Sequence, residues 1–187
     1  MKLKSIGKTG AIPVIAFLLL ISCTPTSEVV DAQEMPKNET TAPAVEVQKW
    51  QPWADIPLSN ELQEYIHTLC EEHNLAYSFI IALIETESNF NSDIVSATND
   101  YGLMQINACN HREDFDYLDP YDNVTIGIEM LSDLAEKYSD VESVLMAYNL
   151  GEAGAVNLWN QGIYSTDYTK KVLDKKLKYE EKHGGNL

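Results

Sequence analysis

The fold class predicted for this chain is all-α, on two observations. Beyond residue 58, apolar residues recur at three- and four-residue spacing in one segment after another, and helix-opening or chain-breaking residues bound those segments. Asn60, with Gln63 three residues on, fits an N-cap and capping box, and Leu62, Ile66, Leu69 and Cys70 follow at helical spacing to about His73. A second helix starts near Ser78, carries Phe79, Ile80, Ile81, Leu83 and Ile84, and ends around Ser88; its apolar density marks a central, buried element. Residues 89–119 are rich in Asn, Asp, Ser, Gly and Pro around one apolar patch, Leu103 to Ile106, and read as loop, short helix or strand, then loop. Asp119-Pro120-Tyr121-Asp122 opens a third long helix with Val124, Ile128, Leu131, Ala135 and Tyr138 on one face. Val141 to Leu150 forms another, Gly151 and Gly154 break the chain before Ala155 to Gln161, and a last helix from about Thr166 carries Tyr168, Val172, Leu173 and Leu177. No internal repeat interrupts this series.

The first quarter of the 187 residues does not read as folded protein, which leaves about 130 residues, enough for a single core. The whole chain is 44% hydrophobic and 22% charged, which, with the N-terminal segment set aside, suits a soluble globular domain. The net charge of −16 argues against nucleic acid as a ligand, because neutralising phosphates needs clustered Lys and Arg, and it disfavours anionic lipid headgroups for the same reason.

Lys2, Lys4 and Lys8, an apolar run from Ala11 to Ile21, and Leu20-Ile21-Ser22-Cys23 make residues 1–22 an export signal. A small residue just before a cysteine resembles the lipobox of bacterial lipoproteins, so Cys23 is expected as the lipidated first residue of a membrane-anchored chain; a plain cleaved signal peptide or an uncleaved anchor is the alternative. Each reading places the domain outside the cytoplasm, and loss of the signal lysines leaves the mature chain more acidic still. Residues 23–53, rich in Thr, Pro, Glu, Val and Ala, read as a flexible tether with a reach of about 30 Å, with Trp50 and Trp53 available to pack on the domain of residues 54–187. Cys70 and Cys109 then remain. An exported protein can bridge them, and Cys70 packs equally well as a reduced thiol on its apolar stripe.

Two carboxylates close the second helix. Glu85 and Glu87 stand two residues apart and point about 200° away from one another. Counting back from Glu87 by three, four and seven residues gives Ile84, Leu83 and Ile80; counting back from Glu85 gives Ala82, Ile81 and the more polar Ser78. Glu87 is therefore the better candidate for a carboxyl group in apolar surroundings, protonated near neutrality and able to give its proton to a leaving oxygen. On this segment alone, a surface glutamate at a frayed helix end is the commoner reading.

The rest of the chain decides between them. Glu87-Ser88-Asn89-Phe90, Ser96, Gly102-Leu103-Met104-Gln105-Ile106 and Ala147-Tyr148-Asn149-Leu150-Gly151 occur in order, and over about residues 58–178 the chain resembles the soluble lytic transglycosylase family. The resemblance implies a lysozyme-like, mainly helical domain with a sugar-binding groove, peptidoglycan glycan strands as the partner, Glu87 as the single catalytic glutamate, and Ser96, Met104, Gln105, Tyr148, Asn149 and Tyr168 as substrate-binding positions. Each has a plainer role: Gly102 can merely end a loop, Gln105 can be a satisfied amide, Ser96 a loop serine, and Tyr148 sits on the inner stripe of its helix with Val141, Val144 and Leu145. Asn149 can hold the loop or touch substrate. Around Tyr168 the family's usual Glu-Thr is replaced by Tyr164 and Ser165, a departure that weakens the carry-over there.

Goose-type lysozymes, which resemble this family, carry an aspartate where this chain has Asn107. A hydrolase that inverts needs a second carboxylate, whereas a transglycosylase uses the substrate's own N-acetyl group and C6 hydroxyl, so the non-hydrolytic route is favoured; Asp93 and Asp100 flank the loop and could still supply a base. A hydrolytic muramidase and a catalytically idle wall-binding lipoprotein of a secretion or conjugation apparatus are the rivals. No cofactor is expected and no metal, since His67 and His73 stand six apart while His111 and His183 are isolated; His111 reads as near the groove or as a solvated loop residue. No protein partner is named by the sequence.

Overall fold

A computed structural model describes residues 50–107 and 115–184. Residues 1–22, Cys23, the tether up to residue 49, Cys109 and His111 lie outside the described residues.

Five helices appear among the described residues: α1 (Asn60–Glu72), α2 (Tyr77–Glu87), α3 (Pro120–Lys137), α4 (Val141–Trp159) and α5 (Asp167–His183). Between α2 and α3 lies a two-stranded antiparallel ribbon, β1 (Asp100–Tyr101) and β2 (Ile106–Asn107), which pairs Asp100 with Asn107 and Tyr101 with Ile106. The all-α expectation holds, and the apolar patch within residues 89–119 is the turn and second strand of that ribbon.

Local chemistry fixes the helix starts. Asp119 accepts from the backbone of Tyr121 and Asp122 with Pro120 in the first turn, and Thr166 forms a reciprocal capping box with Thr169. The start of α1 differs from the sequence reading. Ser59, not Asn60, is the cap, its hydroxyl accepting from Leu62 N at 3.2 Å. Gln63 takes no part in a capping box; it is buried, accepts from Trp53 N at 2.9 Å and Tyr77 Oη at 3.0 Å, and donates to the carbonyls of Trp53 and Leu58. A buried amide must satisfy both its ends, and here it does so by fastening residues 53–58 to the domain.

Residues 77 to 84 of α2 are buried without interruption, so the helix is enclosed on all sides. Ile80, Ile81, Leu83 and Ile84 meet Leu103, Ile106, Ile128, Leu131, Leu145 and Val172 in one continuous core. The fullest packing is α2 against α5, and polar ties accompany it: Ser78 Oγ donates to Glu180 Oε1 at 3.1 Å, and Lys175 Nζ meets Glu85 Oε1 at 2.7 Å. Trp50 stacks on His67 at 4.2 Å between centroids, and Trp53 stacks on His183 at 3.9 Å and meets Tyr77 edge-on at 4.9 Å. The segment before α1 thus packs on α1, α2 and α5. Cys70 is a free, buried thiol whose pKa is pushed up to about 12 by burial, so it packs as a small apolar residue.

The two glycines singled out after α4's first half behave unequally. Gly151 takes φ 69° and ψ 156° and kinks one continuous helical element running to Trp159, while Gly154 stays helical within it.

Candidate active site

Glu87 is the last residue of α2. Ser88 stops the helix by returning both its N–H and its hydroxyl to Ile84 O, at 3.0 and 3.1 Å, and Asn89 and Phe90 follow with positive φ, which turns the chain away. The half-buried carboxyl enters a cleft of about 430 Å³ lined by Asp100, Gln105, Asn107, Tyr148 and Asn149 among others. Burial is the main cause that lifts its pKa to about 7, and the charge of Asp100 adds to the rise; the hydroxyl of Tyr168, donating to Oε1 at 2.5 Å, and Lys171 oppose it. A carboxyl poised there exists in both protonation states near neutral pH, as an acid that later serves as a base must.

Glu85 has the opposite environment. Burial would raise its pKa, but Lys175 and the hydroxyl of Tyr179, 2.8 Å away, prevail and hold it below the usual carboxylate range. It faces α5, where it ties two helices together.

The loop from Gly102 to Ile106 forms one wall of the cleft, and a residue from α3 secures it. Asn123, fully buried, donates to the carbonyls of Tyr101 and Tyr117 at 2.8 and 2.9 Å and accepts from Met104 N at 2.8 Å. Gly102 has φ +69°, and a Cβ there would lie 2.6 Å from Asn123 Nδ2. Its glycine is required by the turn and by the approach of Asn123. Met104 is fully buried and does not line the cleft; its sulfur occupies the space left by Gly127, where a Cβ would lie 2.4 Å away, and its carbonyl accepts from Tyr148 Oη at 2.8 Å. Gln105 sits at φ 49° with its amide nitrogen donating to Gly102 O at 2.9 Å.

Tyr148 lines the cleft, and burial, then the charges of Glu87 and Asp100, holds its pKa well above the ordinary value, so its hydroxyl is protonated. Asn149 lies beside it, exposed. Ser96 is drawn into the ribbon instead: its hydroxyl donates to Asp100 Oδ2 at 2.6 Å and accepts from Asp100 N at 3.0 Å. Tyr168 comes from the start of α5 and touches the site through Glu87.

The structure therefore brings Glu87, Gln105, Tyr148, Asn149 and Tyr168 together, places Met104 beneath them, and uses Ser96 on the ribbon. Asn123 escaped the sequence reading because one polar residue beside Val124 on an amphipathic helix carries no distinguishing signal. Among the described residues no group of three or more His, Cys, Asp and Glu could hold a metal ion.

Residues 64–172 match the family described as Transglycosylase SLT domain. The transglycosylase of Enterobacteria phage PRD1 is 28% identical over 120 residues, covering 62% of this chain and 44% of the phage protein. A provisionally named soluble lytic murein transglycosylase of Haemophilus influenzae is 27% identical over 119 residues, 57% of this chain and 20% of that protein. The chain thus spans less than half the length of either relative. The crystal structure of the 70 kDa soluble lytic transglycosylase of Escherichia coli superposes with a TM-score of 0.59 at 20% identity, covering 69% of this chain and 25% of that one, a likeness of fold.

Proposed function

The chain belongs to the Transglycosylase SLT domain family, and on that premise we propose that its cleft cuts peptidoglycan glycan strands without water, at the β-1,4 bond between N-acetylmuramic acid and N-acetylglucosamine, leaving 1,6-anhydro ends. The observation that carries this reading is one half-buried carboxyl, Glu87, poised at about pH 7 on a groove wall. Its relatives' names, transglycosylase and soluble lytic murein transglycosylase, support the substrate class.

In this mechanism protonated Glu87 gives its proton to the glycosidic oxygen as the bond from that oxygen to the anomeric carbon breaks. The acetamido oxygen of the muramic residue attacks the same carbon, and the charge resides on an oxazolinium ion. Glu87, now ionised and stabilised by the Tyr168 hydroxyl, takes the C6 hydroxyl proton while O6 displaces the acetamido oxygen, which closes the anhydro ring and restores the protonated acid. Gln105 and Asn149 line the groove with amides suited to sugar hydroxyl and acetamido groups. The same proposal includes an export signal over residues 1–22, a lipid on Cys23 and a tether over residues 23–53, which would let an extracytoplasmic domain explore nearby wall polymer.

The test is to incubate the protein with purified peptidoglycan and weigh the muropeptides. An anhydro product lacks one water relative to a hydrolysed end, and Glu87→Gln should lose nearly all turnover while still binding glycan. Reducing, hydrated muramic ends would convert the assignment to the hydrolytic muramidase, and full activity in Glu87→Gln would remove the mechanism.

A further inference from the structure

By sequence alone Asp100 is one of two loop carboxylates able to supply a base. Its surroundings point to a different part. It opens β1 on the cleft wall, in the same groove as Glu87, and both of its oxygens are held. Oδ2 accepts from Ser96 Oγ at 2.6 Å and from Thr98 Oγ1 at 2.5 Å, and Oδ1 accepts from Asn107 Nδ2 at 2.6 Å across the ribbon. The amide N–H of Asp100 donates back to Ser96 Oγ. All three side chains holding the carboxylate are neutral. They therefore fix its position and favour its charge without cancelling that charge.

We propose that Asp100 is a second catalytic carboxylate, a fixed anion that faces the sugar's anomeric carbon and stabilises the positive charge that develops there while Glu87 handles the protons. This rests on the reading of the cleft as a glycan-cleaving site. The two carboxyls are set apart by their environments: burial acts on both, but three donors hold Asp100 below the ordinary carboxylate range, whereas Glu87 is lifted. A preorganised charge costs no rearrangement when the cation forms, which makes it most effective in the transition state. The absence of a carboxylate at Asn107 then has a new meaning. Asn107 is not a lost acid; its amide is a clamp on the acid directly opposite it, since Asp100 and Asn107 are paired residues of the ribbon.

The variant that tests this is Asp100→Asn, close to isosteric, read beside wild type and Glu87→Gln on purified peptidoglycan. Turnover should fall by about 100-fold or more with KM little changed, because the charge acts on the transition state rather than on bound substrate. The high-pH limb of the activity profile should also move to lower pH. Glu87 is faced by Asp100 from the ribbon, by Tyr168 and Lys171 from α5 and by Tyr148 from α4, and removing the one anion among them lowers its pKa. The moved limb reports only that the charge of Asp100 reaches Glu87; the turnover lost at each variant's own optimum pH reports its action at the reacting carbon. Turnover within about threefold of wild type, or an unmoved limb, overturns the proposal while leaving Glu87's role intact. Failure of wild type to cleave, or an active Glu87→Gln, overturns the underlying reading instead. Should Asp100→Asn melt at a lower temperature, Asp100→Ala with added formate decides: turnover that recovers as formate rises supports a charge at this place, and none overturns it.

Discussion

A carboxyl lifted toward neutrality is held against the preference of the fold, and that cost is measurable. Glu87 titrates at about 7 in the folded protein and near 4.5 ordinarily. Between those values the native state keeps a proton that the unfolded chain has already released, so stability falls as pH rises through this window and the full cost is present above it. At about 1.4 kcal/mol per pKa unit, the penalty at pH 8 is about 3 kcal/mol. Glu87→Gln removes it. The amide oxygen of the variant can still accept from Tyr168, so little else changes at the helix end. We therefore expect Glu87→Gln to be more stable than wild type by about 3 kcal/mol at pH 8, roughly 10 °C in melting temperature, with the advantage shrinking to nearly nothing at pH 4. Urea unfolding of both proteins at a series of pH values measures the difference directly, and titrating groups remote from Glu87 cancel between them. Equal stability at pH 8, or an advantage that does not depend on pH, would show that Glu87 is not lifted and would remove the physical ground for its acid role.

Three further outcomes are expected. Glu85→Gln should leave turnover nearly unchanged but cost about 1 kcal/mol by loosening the tie to Lys175 and Tyr179; because Glu85 is depressed, that cost should fade as pH falls below the carboxylate range, which melts at pH 7 and pH 3 can compare. Gly102→Ala should destabilise the domain by about 2 to 4 kcal/mol in urea unfolding, since its Cβ would meet Asn123 and Tyr117 O at a positive φ. Mass spectrometry of protein purified from membranes should find a lipid on an N-terminal Cys23, and a mature form beginning downstream of it would end that proposal.

Periodicity was enough for the helices because each buries one stripe or, in α2, its whole surface; the starts of α3 and α5 were legible because Asp119 and Thr166 are capping residues next to long stripes. It misjudged Gln63, whose spacing from Asn60 mimics a capping box while its amide is spent on residues far along the chain. The choice of Glu87 over Glu85 could be made from helix geometry alone, since opposite faces must meet different neighbours. What faced each of them could not be read this way. Tyr168 lies 81 residues from Glu87 and Tyr148 lies 44 from the carbonyl it binds, separations at which only the packing of α4 and α5 brings partners together. Ser96 shows the converse limit: its motif position was plain, but its hydroxyl serves Asp100, four residues away, through a turn that no pattern announced.

The ties between α2 and α5 carry one more consequence, which is mechanical. A helix apolar on every side can slide along its neighbour or rotate against it at little cost, because hydrophobic contact has no direction. Ser78 to Glu180, Glu85 to Lys175 and Glu87 to Tyr168 act as index marks along that interface, running in opposite senses down the two helices. A slip of one helical turn is about 5.4 Å of travel, and it would draw all three pairs out of hydrogen-bonding range together. The acid is thus aligned on its tyrosine by pins set along the helix pair, and the carboxyl keeps its gauge without any added bulk at the groove itself.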